Sequence, residues 1–91
     1  MVGVTIQPID SWGPFAPGLE PGERLARLRC LRAIVHLLCG YRGLALQATI
    51  RAAEQGRTMG LLEPVLLELS ALAATDQRHV LASYAAICRG D

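Results

Sequence analysis

The residues from Leu61 to Ala74 form a stretch that is apolar at almost every position. Its polar side chains are those of Glu63, Glu68 and Ser70. On a helix of 3.6 residues per turn, the remaining leucines and Val65 fill one broad arc, and Leu67, Ala71 and Ala74 occupy much of the opposite side. A helix that is apolar on two sides must be covered twice, by other helices of its domain or by a second copy of the chain.

The composition favours helices for the rest of the chain as well. Its 91 residues are enough for one domain, and 52% of them are hydrophobic while only 4% are aromatic. A core made of Leu, Ala, Val and Ile is typical of helical packing. The sequence therefore predicts an all-α fold, a small four-helix bundle-like domain preceded by an extended arm rich in proline and glycine.

The predicted arm covers residues 1–22, where four prolines and four glycines exclude a regular helix. Trp12 and Phe15 are two of the chain's four aromatic residues and lie among these turn formers. We expect the arm to lie across the helices or across a neighbouring molecule, with both rings as anchors. The alternative is a mobile tail with exposed rings.

Residues 23–91 are predicted to form the helical domain, with helices at about 21–39, 44–55, 61–74 and 77–89. Pro21 suits a first helical turn, and the glycines at positions 40, 43 and 56 mark breaks. Pro64 is expected near the start of the third helix, and Thr75 with Asp76 should cap the fourth. The predicted inward positions of the first helix are Leu28, Leu31, Ile34, Val35 and Leu38, and those of the fourth are Val80, Leu81, Tyr84, Ile87 and Cys88.

The cysteines and the hydropathy pattern predict a location in the cytoplasm. Cys30, Cys39 and Cys88 are an odd number without a short paired spacing, so we expect reduced thiols in the core. No run approaches the roughly 18 to 20 uninterrupted apolar residues that cross a bilayer, and the first residues do not resemble a secretion signal. We therefore expect no contact with a membrane.

The positive charge is concentrated in one part of the chain. All nine basic residues are arginine, and the formal net charge is +1. Between residues 24 and 57, seven arginines face a single glutamate; this candidate basic face comprises Arg24, Arg27, Arg29, Arg32, Arg42, Arg51 and Arg57. Such a face could bind the phosphates of nucleic acid. Two observations argue against nucleic-acid binding. The net charge is close to zero, and Tyr41 is the only aromatic residue among these arginines.

Catalytic and metal-binding patterns are weak. The run from His36 to Gly40 resembles the His-x-x-Lys-Gly site of histidine phosphotransfer domains, which are also four-helix bundles, but Cys39 stands where that family has lysine. His36 and Cys39 could be two metal ligands or an activated thiol, yet structural zinc needs four ligands and nothing orients the imidazole. We expect neither enzymatic activity nor a metal or other cofactor.

The leading hypothesis is a small regulatory domain that binds proteins and self-associates, most simply as a dimer. Its candidate interface comprises Trp12, Phe15, Leu67, Ala71 and Ala74, and its partner is a second copy or another protein. The alternative is a nucleic-acid-binding regulator that uses the basic face.

Overall fold

The protein is an all-α domain, and the computed structural model describes its residues 13–56 and 62–87. Four α-helices occur there, and no strand is present in these two ranges: α1 is Pro21–Cys39, α2 is Leu44–Gln55, α3 is Leu62–Ala71 and α4 is Ala74–Ile87. Short 3-10 turns cover Gly13–Phe15 and Gly40–Gly43. The all-α prediction is confirmed. The division between an arm of residues 1–22 and a helical domain stays a prediction.

Proline and glycine set the ends of α1. Pro21 is its first residue and follows Glu20, which has an extended backbone. Proline lacks the N–H that would have no partner in a first turn, so it starts a helix without loss. At the other end Gly40 has a φ of 58°, in the left-handed region that glycine adopts most easily. The chain therefore leaves α1 here and enters α2 through the 3-10 turn.

The boundary between α3 and α4 differs from the expected one. The sequence pattern predicts these helices at about 61–74 and 77–89, but α3 ends at Ala71 and α4 begins at Ala74. Thr75 and Asp76 therefore lie inside the first turn of α4 rather than before it. An acidic side chain in a first turn interacts favourably with the positive helix end. Residue 61 and residues 88 and 89 lie outside the described ranges.

The core is shared by all four helices. Helix α1 packs against α2 and α4, and α2 also packs against α3. The fully buried side chains of the core include those of Leu31, Val35, Leu46, Ile50, Val65, Leu69 and Val80. Of the inward positions predicted for the first and fourth helices, two are exposed instead, Leu38 by 39% and Ile87 by 71%. Leu38 lies in the last turn of α1, and Ile87 is the last residue of α4.

The described part of the predicted arm is anchored on the helices. Pro14 and Phe15 are buried, and their turn packs against α1. Two α1 arginines bind its backbone: Arg24 donates from Nη1 to the Pro14 carbonyl at 2.6 Å, and Arg27 donates from Nη1 to the Gly13 carbonyl at 3.1 Å. Phe15 is therefore part of the chain's own core. The predicted anchor Trp12 lies outside the described residues.

The prediction of reduced core thiols is wrong for Cys30. This residue is disulfide-bonded, whereas Cys39 is free and buried. Cys88 lies outside the described ranges. Residues far apart in sequence become neighbours only through folding, so an odd count without paired spacing could not exclude a bond between distant cysteines. The expected cytoplasmic location rested partly on reduced cysteines, and Cys30 does not meet that condition.

The segment Pro21–Gln55 is long and apolar enough, by length and composition alone, to cross a membrane. The absence of a long uninterrupted apolar run did not predict such a segment. In the structure the 3-10 turn at Gly40–Gly43 divides it into α1 and α2, which pack against each other. Its apolar residues include Leu31, Val35, Leu46 and Ile50, which are buried in the core. Of the apolar window in this segment, 33% is buried inside the structure.

Candidate interaction surface

Most of the candidate basic face is used inside the chain. Besides the bonds of Arg24 and Arg27 to the Gly13–Phe15 turn, Arg27 also pairs with Glu23 one helical turn earlier, at 2.7 Å. This is an i,i+4 pair with the glutamate nearer the N-terminus, the more favourable orientation on a helix. The first two arginines of the face thus fasten the 13–15 turn to α1.

The next arginines join α1 to α2. Arg32 donates from Nε and Nη2 to the two carboxylate oxygens of Glu54, at 2.5 and 3.0 Å. The Glu54 side chain is only 7% exposed, and Arg29 approaches the same carboxylate at 3.8 Å. A two-point guanidinium–carboxylate pair fixes orientation as well as distance. The only glutamate between residues 24 and 57 therefore sits between two of the arginines.

Arg42 forms a second two-point pair, with Asp76 of α4. It donates from Nε and Nη2 to the two carboxylate oxygens of Asp76, both at 3.0 Å. The pair ties the Gly40–Gly43 turn to the first turn of α4. The Arg42 guanidinium, by hydrogen bonding, holds the pKa of Asp76 below its usual value.

Arg51 is the exception. Its side chain is exposed on α2, and it forms no ion pair within residues 13–56 and 62–87. Arg57 lies outside these ranges. Of the seven predicted arginines, five thus make contacts within the chain, so the structure does not bring them together as a free basic face.

The predicted interface residues fall into different environments. Leu67 is 65% exposed near the middle of α3, and Ala71 is exposed one turn later on the same side. Ala74 is also exposed, but it is the first residue of α4 and does not continue the α3 surface. Phe15 is 5% exposed and belongs to the core. Among the described candidate interface residues, Leu67 and Ala71 therefore share one exposed apolar surface.

Further exposed apolar side chains were not predicted. Leu37 is 78% exposed, Tyr41 is 83% exposed and Leu44 is 59% exposed. They lie on the outer side of α1, in the glycine turn and at the start of α2. The signal was present in the sequence, because Leu37 falls outside the inward stripe of α1 and Tyr41 is flanked by glycines.

Two openings show how α2 and α3 lie beside each other. A cleft of about 190 Å³ is bordered by Ala45 and Leu46 at the start of α2 and by Glu68 and Ala71 near the end of α3. A larger groove of about 580 Å³ is bordered by residues 53–56 at the end of α2 and by Leu62 at the start of α3. The two helices are therefore antiparallel neighbours. Exposed Ala71 lies at the edge between them.

The candidate chemical groups do not converge. Burial, together with the nearby Asp76 carboxylate, raises the pKa of the Cys39 thiol, which disfavours the thiolate that a nucleophile or metal ligand requires. His36 is exposed on α1. In the part of the chain that the structure describes, no three His, Cys, Asp or Glu side chains are grouped for a metal ion.

Fold and surface together define a small all-α domain whose arginines are largely used within the chain and whose α3 carries an uncovered apolar side. The chain matches no protein-family model, no curated protein and no solved structure.

Proposed function

We propose that this chain is a non-enzymatic regulatory domain that acts by binding protein, and that it self-associates through the exposed apolar side of α3. The observation that carries the proposal is the position of Leu67, which is 65% exposed on a helix whose other side is buried through Leu62, Val65 and Leu69. A single exposed leucine is ordinary on a protein surface. Here it adjoins exposed Ala71, so that the uncovered apolar surface extends over a full turn.

The arm has a smaller part in this proposal than the sequence suggested. Phe15 is buried in the chain's own core. It could contact a partner only if the Gly13–Phe15 turn detached from α1. The contribution of Trp12 stays a prediction. Nucleic-acid binding is the alternative function, and the contacts of Arg24, Arg27, Arg32 and Arg42 within the chain do not favour it, because a phosphate-binding face needs cations that are not already paired.

Sedimentation of the full chain over a range of concentrations, at low and high salt, tests the proposal. We expect a dimer that persists at high salt, because apolar contacts are not screened as exposed charges are. L67E should be monomeric. Its helices should stay folded, because the substituted position faces solvent. A wild-type chain that stays monomeric at every concentration would refute self-association.

A matched control is available on α1. Leu37 is even more exposed than Leu67, at 78% against 65%, so L37E introduces the same charge at another uncovered leucine. We expect L37E to leave the dimer intact. Equal loss of the dimer in L37E and L67E would show that added negative charge, rather than the α3 surface, is responsible.

A further inference from the structure

We propose that the second copy binds in one defined way: an exposed stripe on α2 of one chain packs antiparallel on the exposed stripe of α3 of its partner, twice around a twofold axis. The α2 stripe comprises Leu44, Ala48 and Arg51, and the α3 stripe comprises Glu63, Leu67 and Ala71. This inference rests on the proposed self-association and adds the partner's surface, the register and a charge pair.

The α2 stripe is spaced i, i+4, i+7, so its three members lie along one side of the helix. Leu44 is 59% exposed, and Ala48 and Arg51 are exposed as well. The buried residues of α2, Leu46, Ile50 and Ala53, lie on the other side. The stripe thus offers an apolar end at Leu44, a shallow position at Ala48 and a cation at Arg51.

The α3 stripe has the complementary order. Its members are spaced i, i+4, i+8 and are all exposed. Glu63 is an anion near the start of the helix, Leu67 is a large apolar side chain, and Ala71 is small. Helix α3 contains two glutamates and no basic residue, whereas α2 contains Arg51 and only the nearly buried Glu54.

An antiparallel register matches all three positions at once. It places Leu44 opposite the partner's Ala71, Ala48 opposite the partner's Leu67, and Arg51 opposite the partner's Glu63. At a rise of 1.5 Å per residue, Leu44 to Arg51 spans about 10.5 Å and Glu63 to Ala71 about 12 Å, so the ends stay within side-chain reach. Each large residue faces a small one, the arrangement that close helix packing requires.

The packing within one chain makes this register reachable by symmetry. The clefts place the start of α2 beside the end of α3, and the end of α2 beside the start of α3. Consider a twofold axis that lies in the interface and runs parallel to these helices. It places the partner's α2 against α3. The rotation changes neither the direction of α2 nor its position along the axis. The partner's Leu44 then meets Ala71. An axis perpendicular to the helices would pair α2 with α2, which leaves each Arg51 without an anion and opposite an apolar residue.

Charge reversal tests the pairing. R51E and E63R should each weaken the dimer on the order of tenfold, since each substitution breaks two equivalent exposed ion pairs. The double variant R51E/E63R should return to within about threefold of the wild-type dissociation constant, because the charges are exchanged across both contacts. The control R78E reverses an exposed arginine on α4 and should change nothing.

Mixing two monomeric variants gives an independent readout. L67E and A48R should each be monomeric alone, but an equimolar mixture should form heterodimers. One contact in the mixed dimer is wild type on both sides, and the other places the introduced glutamate opposite the introduced arginine. Pairing of like stripes gives no such rescue.

The outcomes separate the two proposals. A monomeric wild-type chain removes both. Suppose instead that L67E disrupts the wild-type dimer, but R51E and E63R have no effect, or neither the double variant nor the mixture restores the dimer. Self-association through α3 then stands, and the pairing with α2 is overturned. Circular dichroism of every variant at 222 nm confirms that the exposed substitutions leave the helices folded.

Discussion

Gly43 is the residue whose substitution should reveal how closely the end of α1 approaches the start of α2. It is buried in the 3-10 turn, and a Cβ atom there would lie 2.6 Å from Val35 Cγ1 and 3.0 Å from Cys39 Cβ. Real Cβ atoms do not approach other heavy atoms at the first of these distances. Val35 is 0% exposed and Cys39 is 2% exposed, so neither can move aside without disturbing the core.

The cost of G43A follows from this crowding. Forcing an extra carbon into a packed interior costs about 1–3 kcal/mol, and the reduced freedom of the unfolded chain returns about 0.4–1 kcal/mol. The backbone itself is not an obstacle, because φ at Gly43 is −105°. The midpoints of these two ranges leave a net loss of about 1.3 kcal/mol. Since each kcal/mol shifts Tm by about 4–8 °C in a domain of this size, Tm should fall by about 5–10 °C.

Thermal and urea unfolding, followed by circular dichroism at 222 nm, measure both quantities. The matched control is G22A, because Gly22 lies in the first turn of α1 and a Cβ atom there would meet nothing within 4 Å. G22A should be neutral or stabilising by up to about 1 kcal/mol. If G43A unfolds at or above the wild-type Tm, the close approach of Val35 to the turn is wrong.

Three further substitutions test the core and the two-point ion pairs. Leu69 is 0% exposed, so L69A should lose about 2–5 kcal/mol in urea unfolding; a smaller loss would mean that α3 is not held in the core. E54Q removes one charge of the pair with Arg32 and should lower the free energy of unfolding by about 1–3 kcal/mol in the same assay. An unchanged urea midpoint would mean that the pair does not stabilise the fold. Because the pKa of Asp76 is lowered by Arg42, its contribution to stability is present above the unfolded pKa of about 3.8 and is lost as pH falls through the folded value. D76N should therefore flatten the pH dependence of Tm in that acidic range, and an unchanged slope would contradict it.

The helices could be predicted well where proline or glycine marks their ends. Pro21 and Gly40 act through backbone geometry that depends little on the rest of the fold. The junction between α3 and α4 was harder, because Thr75 and Asp76 can cap a helix from outside or stand in its first turn. The partial burial of Leu72 against the core is a tertiary effect, and local sequence does not reveal it.

The candidate surface was predicted only in part. The periodicity of α3 identified Leu67 and Ala71 as surplus to the core, and both are exposed. Phe15 was assigned to the same surface because a large apolar ring is rarely left in water and was expected to anchor the arm on the helices or on a neighbouring molecule. It is buried in a turn whose carbonyls accept hydrogen bonds from Arg24 and Arg27, one to two helical turns into α1. Long-range hydrogen bonds of this kind leave no periodic signal.

The uneven charge of the sequence finds most of its explanation inside the fold. Backbone carbonyls of the 13–15 turn, Glu54 and Asp76 accept the hydrogen bonds of arginines that looked like one cationic face. Arg51 on α2 is exposed and has no ion pair with any residue of the described ranges 13–56 and 62–87, and it lies on the same side of the helix as Leu44 and Ala48. One cation beside apolar residues is poorly suited to a polyanion, which is held by many phosphate contacts. It is well suited to a helix that carries one anion beside apolar residues, and the exposed side of α3 is such a surface.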